Sequence, residues 1–247
     1  MKSKGFTVVE ILVTLVIVGL LTTLVFISID STQKSTSGIE RRVVAQQDAK
    51  AALSLMEMEI RMASYNPQFT TGNWVSAAIP TNCSSASGAQ VYRGIQEATA
   101  TSLTIQADLN GNCNIDGVHA CMTDANEIIR YNYETAAANR HITRRVNCNA
   151  TAFALLGASA ASTAVKTVNV INNELNIPVF RYFNGVGADI SATVVSSPAD
   201  SRTGIPAIRR IDITLAVETQ YKDPMKRSPA RMVYVTSVIL RNHAPQL

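Results

Sequence analysis

The sequence predicts an α+β protein in which one long N-terminal helix is followed by a domain built on an antiparallel β-sheet. Three observations predict it. An uninterrupted apolar run occupies 8–29, helical periodicity continues in amphipathic form to residue 63, and alternating segments separated by Ser, Thr, Asn and Gly follow Pro67. The 247 residues are enough for one ordinary core with an appendage.

The composition excludes one broad class and does not favour another. Lys and Arg number 22 against 18 Asp and Glu, so the net charge is +4, and only 16% of residues are charged. A chain with 47% hydrophobic residues is not an intrinsically disordered charged tail. Since the positive charge is small, the composition does not favour nucleic acid as a partner.

The apolar run at 8–29 predicts a membrane span. About 22 residues at ~1.5 Å each cover roughly 33 Å, the thickness of the hydrocarbon layer of a bilayer. Lys2 and Lys4 precede the run and Asp30 follows it. The positive-inside bias therefore places the N-terminus in the cytoplasm and the rest of the chain across the membrane.

Glu10 is the one formal charge within this run, and it distinguishes three hypotheses. A secretory signal peptide would have a shorter apolar core and an Ala-x-Ala cleavage site, which the sequence after Phe26 does not offer. A plain membrane anchor explains the length but not the carboxylate. A charge at the centre of a bilayer costs about 2.5–3.5 kcal/mol, less near its edge, and usually has a partner. Glu10 therefore requires a cation.

The segment KGFTVVEILV at 4–13 resembles the leader of type IV prepilins and type II secretion pseudopilins. The resemblance implies that prepilin peptidase cuts after Gly5, removing the leader 1–5, and that the new N-terminal Phe6 is N-methylated. The amine of Phe6 in one subunit can then meet the Glu10 carboxylate of a neighbour, where scarce water strengthens the attraction. The implied partners are other minor and major pilins, prepilin peptidase, the inner membrane and the assembly platform.

The predicted helix extends from 6 to 64, and an exported β-rich domain occupies 65–247. Ser31–Gly38 is the weakest stretch, where Ser and Thr favour local bending or melting. Asn66-Pro67 ends the helix. An apolar stripe on its outer half is expected to pack against the domain: Ile39, Val43, Gln46, Ala49, Leu53, Met56, Ile60 and Ala63.

Alternating hydrophobicity predicts seven strands in the exported domain. Ile208–Tyr221 has the clearest alternation, and the polar turn at 222–229 joins it to the last segment as an antiparallel hairpin. The Ala-rich stretch Ala150–Thr163 is expected to be a short helix or a loop. The predicted strands are Ser102–Leu109, Glu127–Tyr133, His141–Asn147, Lys166–Ile171, Pro178–Phe183, Ile208–Tyr221 and Arg231–Arg241.

Three C-terminal segments resemble the PilW group of minor pilins, which is related to the J-type minor pseudopilins of type II secretion. They are LTIQADLNG at 103–111, PVFRYF at 178–183 and ILRN at 239–242. The resemblance implies a pilin-like fold and a subunit that joins other minor subunits and primes polymerisation of the major one. The expected location is the inner membrane, with a single span and a periplasmic C-terminal domain, and then the pilus or pseudopilus.

Four cysteines lie in the predicted exported part: Cys83, Cys113, Cys121 and Cys148. An even number in an oxidising compartment suggests two disulfides, for which three connectivities exist. Cys113 with Cys121, and Cys83 with Cys148, is the favoured pairing because the first two are close across a loop. Zinc bound by Cys113, Cys121 and His119 is the weaker alternative, since the ligands are few and poorly spaced.

Oxygen side chains alternate along 108–116, as they do in a calcium loop, at Asp108, Asn110, Asn112, Asn114 and Asp116. Cys113 stands where such a loop has Gly, and His119 stands where it has a bidentate Glu. An Asx-rich and Gly-rich turn after a strand is therefore the favoured interpretation. If an ion binds, these five residues are its predicted ligands.

Nothing in the sequence supports an enzyme or a small-molecule substrate. His119, His141 and His243 are accompanied by no nucleophile elbow, HExxH motif or phosphate-binding loop, and are expected at the surface or in turns. Basic pairs could bind DNA or acidic lipids but are more often solvated, so nucleic acid is not an expected partner. These pairs are Arg41-Arg42, Arg144-Arg145, Arg209-Arg210 and Lys226-Arg227. The second hypothesis is a tip-displayed adhesin or DNA-binding module on the same stalk, and the third is an exported membrane-anchored enzyme.

Overall fold

A computed structural model describes residues 5, 7–67, 94–111, 127–136, 140–146, 151–158, 167–196 and 202–243. Its first element, helix α1 (Val8–Arg61), is 54 residues long and is followed by strands and two short helices. This α+β arrangement confirms the predicted fold class. The remaining elements are β1 (Ile95–Ala98), β2 (Ser102–Gln106), β3 (Ile128–Glu134), β4 (His141–Val146), β5 (Phe153–Leu156), β6 (Val168–Val170), β7 (Phe180–Phe183), α2 (Ser191–Ser196), a 3₁₀ turn (Ile205–Ala207), β8 (Arg210–Thr219) and β9 (Arg231–Ile239).

Local sequence explains both ends of α1. At the N-terminus, Thr7 and Glu10 form a capping box. At the C-terminus, Ser64 has a φ of 65°, which stops the helical repeat before Asn66-Pro67. Gly94 lies against this turn so closely that a Cβ there would be 2.0 Å from Ser64 Oγ. The helix continues without a break through Ser31–Gly38, contrary to the melting expected there.

The strands form two antiparallel sheets. The first has the order β1-β2-β3-β4-β5. In the second, β8 is central: β9 pairs along its whole length on one side, while β6 and β7 pair with its two ends on the other. All seven predicted strands are confirmed, with ends that differ by a few residues. The expectation for Ala150–Thr163 is wrong in part, because Phe153–Leu156 pairs with β4 as strand β5.

One core joins both sheets to the C-terminal half of α1. Ile211, Ile213, Leu215 and Val217 of β8 are fully buried, as the alternation of that strand predicts. The stripe of α1 is confirmed only in its outer part, because Ile39 and Val43 are exposed. The α1 residues buried in the core are Ala45, Ala49, Ala52, Leu53, Met56 and Ile60, and Ala63 follows them in the turn.

Two of the three histidines contradict the expectation of surface positions. His141 and His243 are both buried, whereas His119 lies outside the described residues. His243 Nε2 is 2.9 Å from the Ile205 carbonyl oxygen and Nδ1 is 2.8 Å from Ser64 Oγ. The carbonyl can only accept, so Nε2 donates. This ring therefore connects the C-terminal tail to the end of α1.

Candidate assembly site

The residues predicted from the sequence to act in processing and assembly lie at the N-terminus of α1. Glu10 Oε2 accepts a hydrogen bond from the Thr7 backbone N–H at 2.9 Å and from its hydroxyl at 3.0 Å. The Glu10 backbone N–H donates to Thr7 Oγ1 at 3.3 Å. Gly5 is exposed directly before this box, and Phe6 lies outside the described residues. The carboxylate is thus held in a fixed position one turn from the predicted cleavage point.

The capping box is a role for Glu10 that the sequence analysis missed. Its signature is present, because a Thr followed three residues later by a Glu at the start of an apolar run is typical of a helix N-terminus. A hydroxyl and an amide orient the carboxylate, but neither neutralises its charge. Within the described residues no lysine or arginine pairs with Glu10. The cap explains the conformation of Glu10, and no described residue balances its charge.

The helix around Glu10 is exposed on all sides. Every described residue from Thr7 to Thr36 is exposed, including Leu12, Val16 and Leu20. Among the described residues, α1 is the helix that is long and apolar enough to cross a membrane by length and composition. A helix that is apolar all round requires an apolar environment, such as lipid or packed helices.

A partly buried polar cluster attaches the other end of α1 to the first sheet. Arg144 of β4 donates two hydrogen bonds to the Glu59 carboxylate of α1, with Nη2 2.6 Å from Oε1 and Nε 3.0 Å from Oε2. The Tyr131 hydroxyl of β3 also donates to Glu59 Oε2. Hydrogen bonding to Glu59 raises the pKa of Arg144, whereas burial first and the Glu59 charge second raise the pKa of Tyr131. The cluster fixes the register between the helix and the sheet.

The predicted calcium ligands are described only in part. Asp108 is buried; its Oδ1 accepts from the Gly111 N–H at 2.7 Å, and its Oδ2 accepts no hydrogen bond from the described residues. Asn110 is exposed, and Asn112, Asn114 and Asp116 lie outside the described residues. The described parts of the chain contain no group of three or more His, Cys, Asp or Glu placed to hold a metal. The bond to Gly111, three residues on, is a local bond from an Asp side chain to the backbone of a turn, and the calcium site stays a prediction.

The structure does not test the predicted disulfides. All four cysteines, Cys83, Cys113, Cys121 and Cys148, lie outside the described residues, so their pairing stays a prediction.

Several arginines of the basic pairs make contacts within the chain. Arg41 donates to the Lys222 carbonyl at 3.1 Å, Arg144 binds Glu59, Arg209 donates to the Ile208 carbonyl at 2.7 Å, and Arg210 lies 4.0 Å from the centre of the Phe183 ring.

Comparison with known proteins bears on this N-terminal site. No curated protein and no solved structure matches the chain. Residues 1–26 match the family model described as the prokaryotic N-terminal methylation motif. This motif, at the start of a helix able to cross a membrane, indicates a type IV pilin or pseudopilin whose N-terminus is a substrate of prepilin peptidase.

Proposed function

We propose that the chain is a minor pilin, a structural subunit that prepilin peptidase processes and that joins, or primes the assembly of, a type IV pilus. The observation that carries the proposal is Glu10. It lies on an apolar helix exposed on all sides, and its described hydrogen bonds run only to Thr7. Such a helix needs an apolar environment, and such a carboxylate needs a cation.

Assembly meets both needs at once. Cleavage after Gly5 creates an amine on Phe6, four residues before Glu10. Within one chain the capping box already directs the Glu10 carboxylate toward Thr7. In a filament, the amine of a neighbouring subunit reaches the same carboxylate among packed apolar helices. The low dielectric there strengthens the pair, and removal of either partner would leave one buried charge.

The minor rather than major role is supported by the resemblance of 103–111, 178–183 and 239–242 to the PilW group. The nearest alternative is a J-type minor pseudopilin of type II secretion, which shares the chemistry of Gly5, Phe6 and Glu10. Both roles are structural rather than enzymatic. Before assembly, the proposal places α1 across the inner membrane with the N-terminus in the cytoplasm and the two sheets in the periplasm.

Two substitutions separate the charge of Glu10 from its capping role. Glu10→Gln removes the charge but keeps a side-chain oxygen that can accept from Thr7. Thr7→Val removes the capping hydroxyl and keeps the charge. We expect Glu10→Gln to lower the amount of the subunit in sheared filaments by about tenfold or more, equivalent to at least ~1.4 kcal/mol. Thr7→Val should change it by less than about twofold, since a cap contributes mainly to helix stability.

The measurement is quantitative immunoblotting of filaments sheared from the native host, normalised to the subunit in membranes. The reverse pattern, in which Thr7→Val abolishes incorporation and Glu10→Gln does not, would make Glu10 a helix cap and contradict the proposal. The same measurement in host strains that lack either the pilus assembly platform or the secretion assembly platform shows which of the two filaments contains the subunit. Mass spectrometry of the mature chain should show an N-methylated Phe6, and a chain that begins at Met1 despite active peptidase would contradict the processing step.

A further inference from the structure

We propose that the turn between β8 and β9, residues 222–229, binds the anionic phospholipid headgroups of the membrane in which α1 is anchored. We call this segment the basic turn. The inference rests on the proposed function, because it requires α1 to hold the domain beside a membrane. It adds a second membrane contact, made by the globular domain itself.

The β8–β9 hairpin places the basic turn at the membrane-proximal side of the domain. Within the hairpin, Thr236 Oγ1 donates to Glu57 of α1 at 3.2 Å. Farther toward the helix N-terminus, Arg41 donates to the Lys222 carbonyl at 3.1 Å. A Cβ on Gly38 would lie 3.1 Å from the Asp223 carboxylate. The hairpin therefore descends along the helix, and its turn lies beside a helix position before the first core residue, Ala45.

The length of the intervening helix brings the basic turn within electrostatic range of the headgroups. From Ile29 to Gly38 the helix rises about 14 Å at ~1.5 Å per residue. The headgroup layer takes up roughly 5–8 Å of that distance on each side of the hydrocarbon. The remainder is comparable to the Debye length of about 8 Å at physiological salt. Asp30 and Lys34, which lie in between, pair with each other at 2.5 Å.

The basic turn presents its cations outward and its one acid inward. Lys222, Lys226 and Arg227 are exposed. Asp223 lies against Gly38, and its Oδ1 accepts from the Met225 N–H at 2.8 Å. Met225 itself is 57% exposed, so an apolar side chain stands among the cations. Cations close to a membrane surface attract anionic lipid headgroups electrostatically, and the basic turn supplies three of them.

The alternative occupant, nucleic acid, fits this surface less well. Single-stranded binding requires aromatic rings on which bases can stack. Tyr221, the aromatic residue that precedes the basic turn, is 60% exposed, but one face of its ring is taken by Arg41, whose guanidinium carbon lies 5.4 Å from the ring centre. Arg42 is exposed on the adjoining helix turn together with an acid, Glu40. Headgroups need only proximity and charge, and both are present here.

The test is amide hydrogen exchange of residues 221–230 in the full chain reconstituted into nanodiscs. One preparation contains phosphatidylcholine alone, and the other contains about 30% phosphatidylglycerol. We expect exchange at the basic turn to be about threefold slower or more in the anionic discs and the difference to vanish in about 0.5 M salt. Lys226→Gln/Arg227→Gln should abolish the difference. The matched control Lys50→Gln/Arg241→Gln removes two exposed cations elsewhere and should retain it.

Each outcome decides the question. Equal exchange in both discs overturns the inference, as does protection that survives Lys226→Gln/Arg227→Gln. Protection by a single-stranded oligonucleotide without protection by anionic lipid assigns the basic turn to nucleic acid instead. Failure of the chain to enter nanodiscs, seen by size-exclusion chromatography, contradicts the membrane anchor and with it the proposed function. Entry without lipid-dependent protection contradicts this inference alone.

Discussion

The two halves of α1 are both rich in apolar residues, yet only one of them is buried by its own chain. From Thr7 to Thr36 every described residue is exposed, whereas from Ala45 to Ala63 one face is fully buried under the sheets. The two halves of the helix therefore have different surroundings. Hydrophobicity alone shows that each half must be covered. The arrangement of small and large side chains around the helix shows whether a sheet of the same chain or an external apolar environment covers it.

The docked half carries small residues at steps of three and four. Ala45, Ala49 and Ala52 are buried, and Ala63 is buried in the turn that follows the helix. Small side chains let the strands approach the helix backbone closely. The N-terminal half instead distributes Val, Leu and Ile all round, with no polar face. That pattern is typical of a helix surrounded by lipid or by other helices.

The largest expected effect distinguishes the two sides of the docked half. Met56 is fully buried in the core, and Met58, two residues away, is 61% exposed. Met56→Ala should lower the free energy of unfolding by about 2–5 kcal/mol, because it removes buried methylene groups and leaves a cavity. Met58→Ala should change it by less than about 0.5 kcal/mol. The measurement is urea unfolding of the full chain in detergent micelles.

The denaturant slope provides the control for that pair. If both variants keep the wild-type slope, a change of midpoint reports stability alone. Equal destabilisation by Met56→Ala and Met58→Ala would mean that the exposed face of the docked half is also covered. The contrast between buried and exposed faces of α1 would then be wrong.

Alkaline pH should weaken the docked half through Tyr131. Burial and the Glu59 charge raise its pKa in the folded state above the unfolded value of about 10. Above pH ~10 the unfolded chain releases this proton while the folded protein keeps it. Stability is therefore unaffected below pH ~10 and falls above it, by at most ~1.4 kcal/mol per pH unit for this group. Urea unfolding between pH 9 and 11 should show a shallower fall in Tyr131→Phe, within about that limit.

The matched variant for this experiment is Tyr221→Phe, which removes a hydroxyl from a tyrosine that is 60% exposed. This hydroxyl lies outside the cluster of Glu59, Tyr131 and Arg144 and therefore serves as the control. A Tyr131→Phe protein with the same alkaline slope as wild type would show that the fold does not raise the pKa of the Tyr131 hydroxyl.

Much of this fold could be predicted because its signals are local. The change from helical to alternating periodicity at Pro67 separates the helix from the sheets, and the alternation of Ile211, Ile213 and Leu215 identifies β8. The N-terminal site is equally local, since Gly5, Thr7 and Glu10 lie within six positions. The predicted stripe reaches too far, to Ile39, because periodicity does not reveal how far a sheet extends along a helix.

The remaining features depend on partners far away in the sequence. Strand β5 has an Ala-rich neighbourhood that favours helix, and pairing with β4 overrides that preference. His243 is buried, and its ring contacts Ser64 and Ile205, both distant in the chain. The cluster of Glu59, Tyr131 and Arg144 joins three separate elements. The sequence around each of these residues does not indicate which distant residues it contacts.

Substitution of the two glycines of α1 tests where the exposed half of the helix ends and the docked half begins. These substitutions have the smallest expected effect on stability. Gly38 faces the Asp223 carboxylate of the basic turn, whereas a Cβ on Gly19 would meet no described atom within 4 Å. Gly38→Val should therefore displace the turn and destabilise the domain by about 1 kcal/mol, since overpacking outweighs the gain in helix propensity. Gly19→Val should leave urea unfolding of the domain within about 0.5 kcal/mol of wild type. Faster amide exchange at 222–229 in Gly38→Val alone would place the boundary at Gly38; equal effects at both glycines would mean that the N-terminal half also contacts the domain.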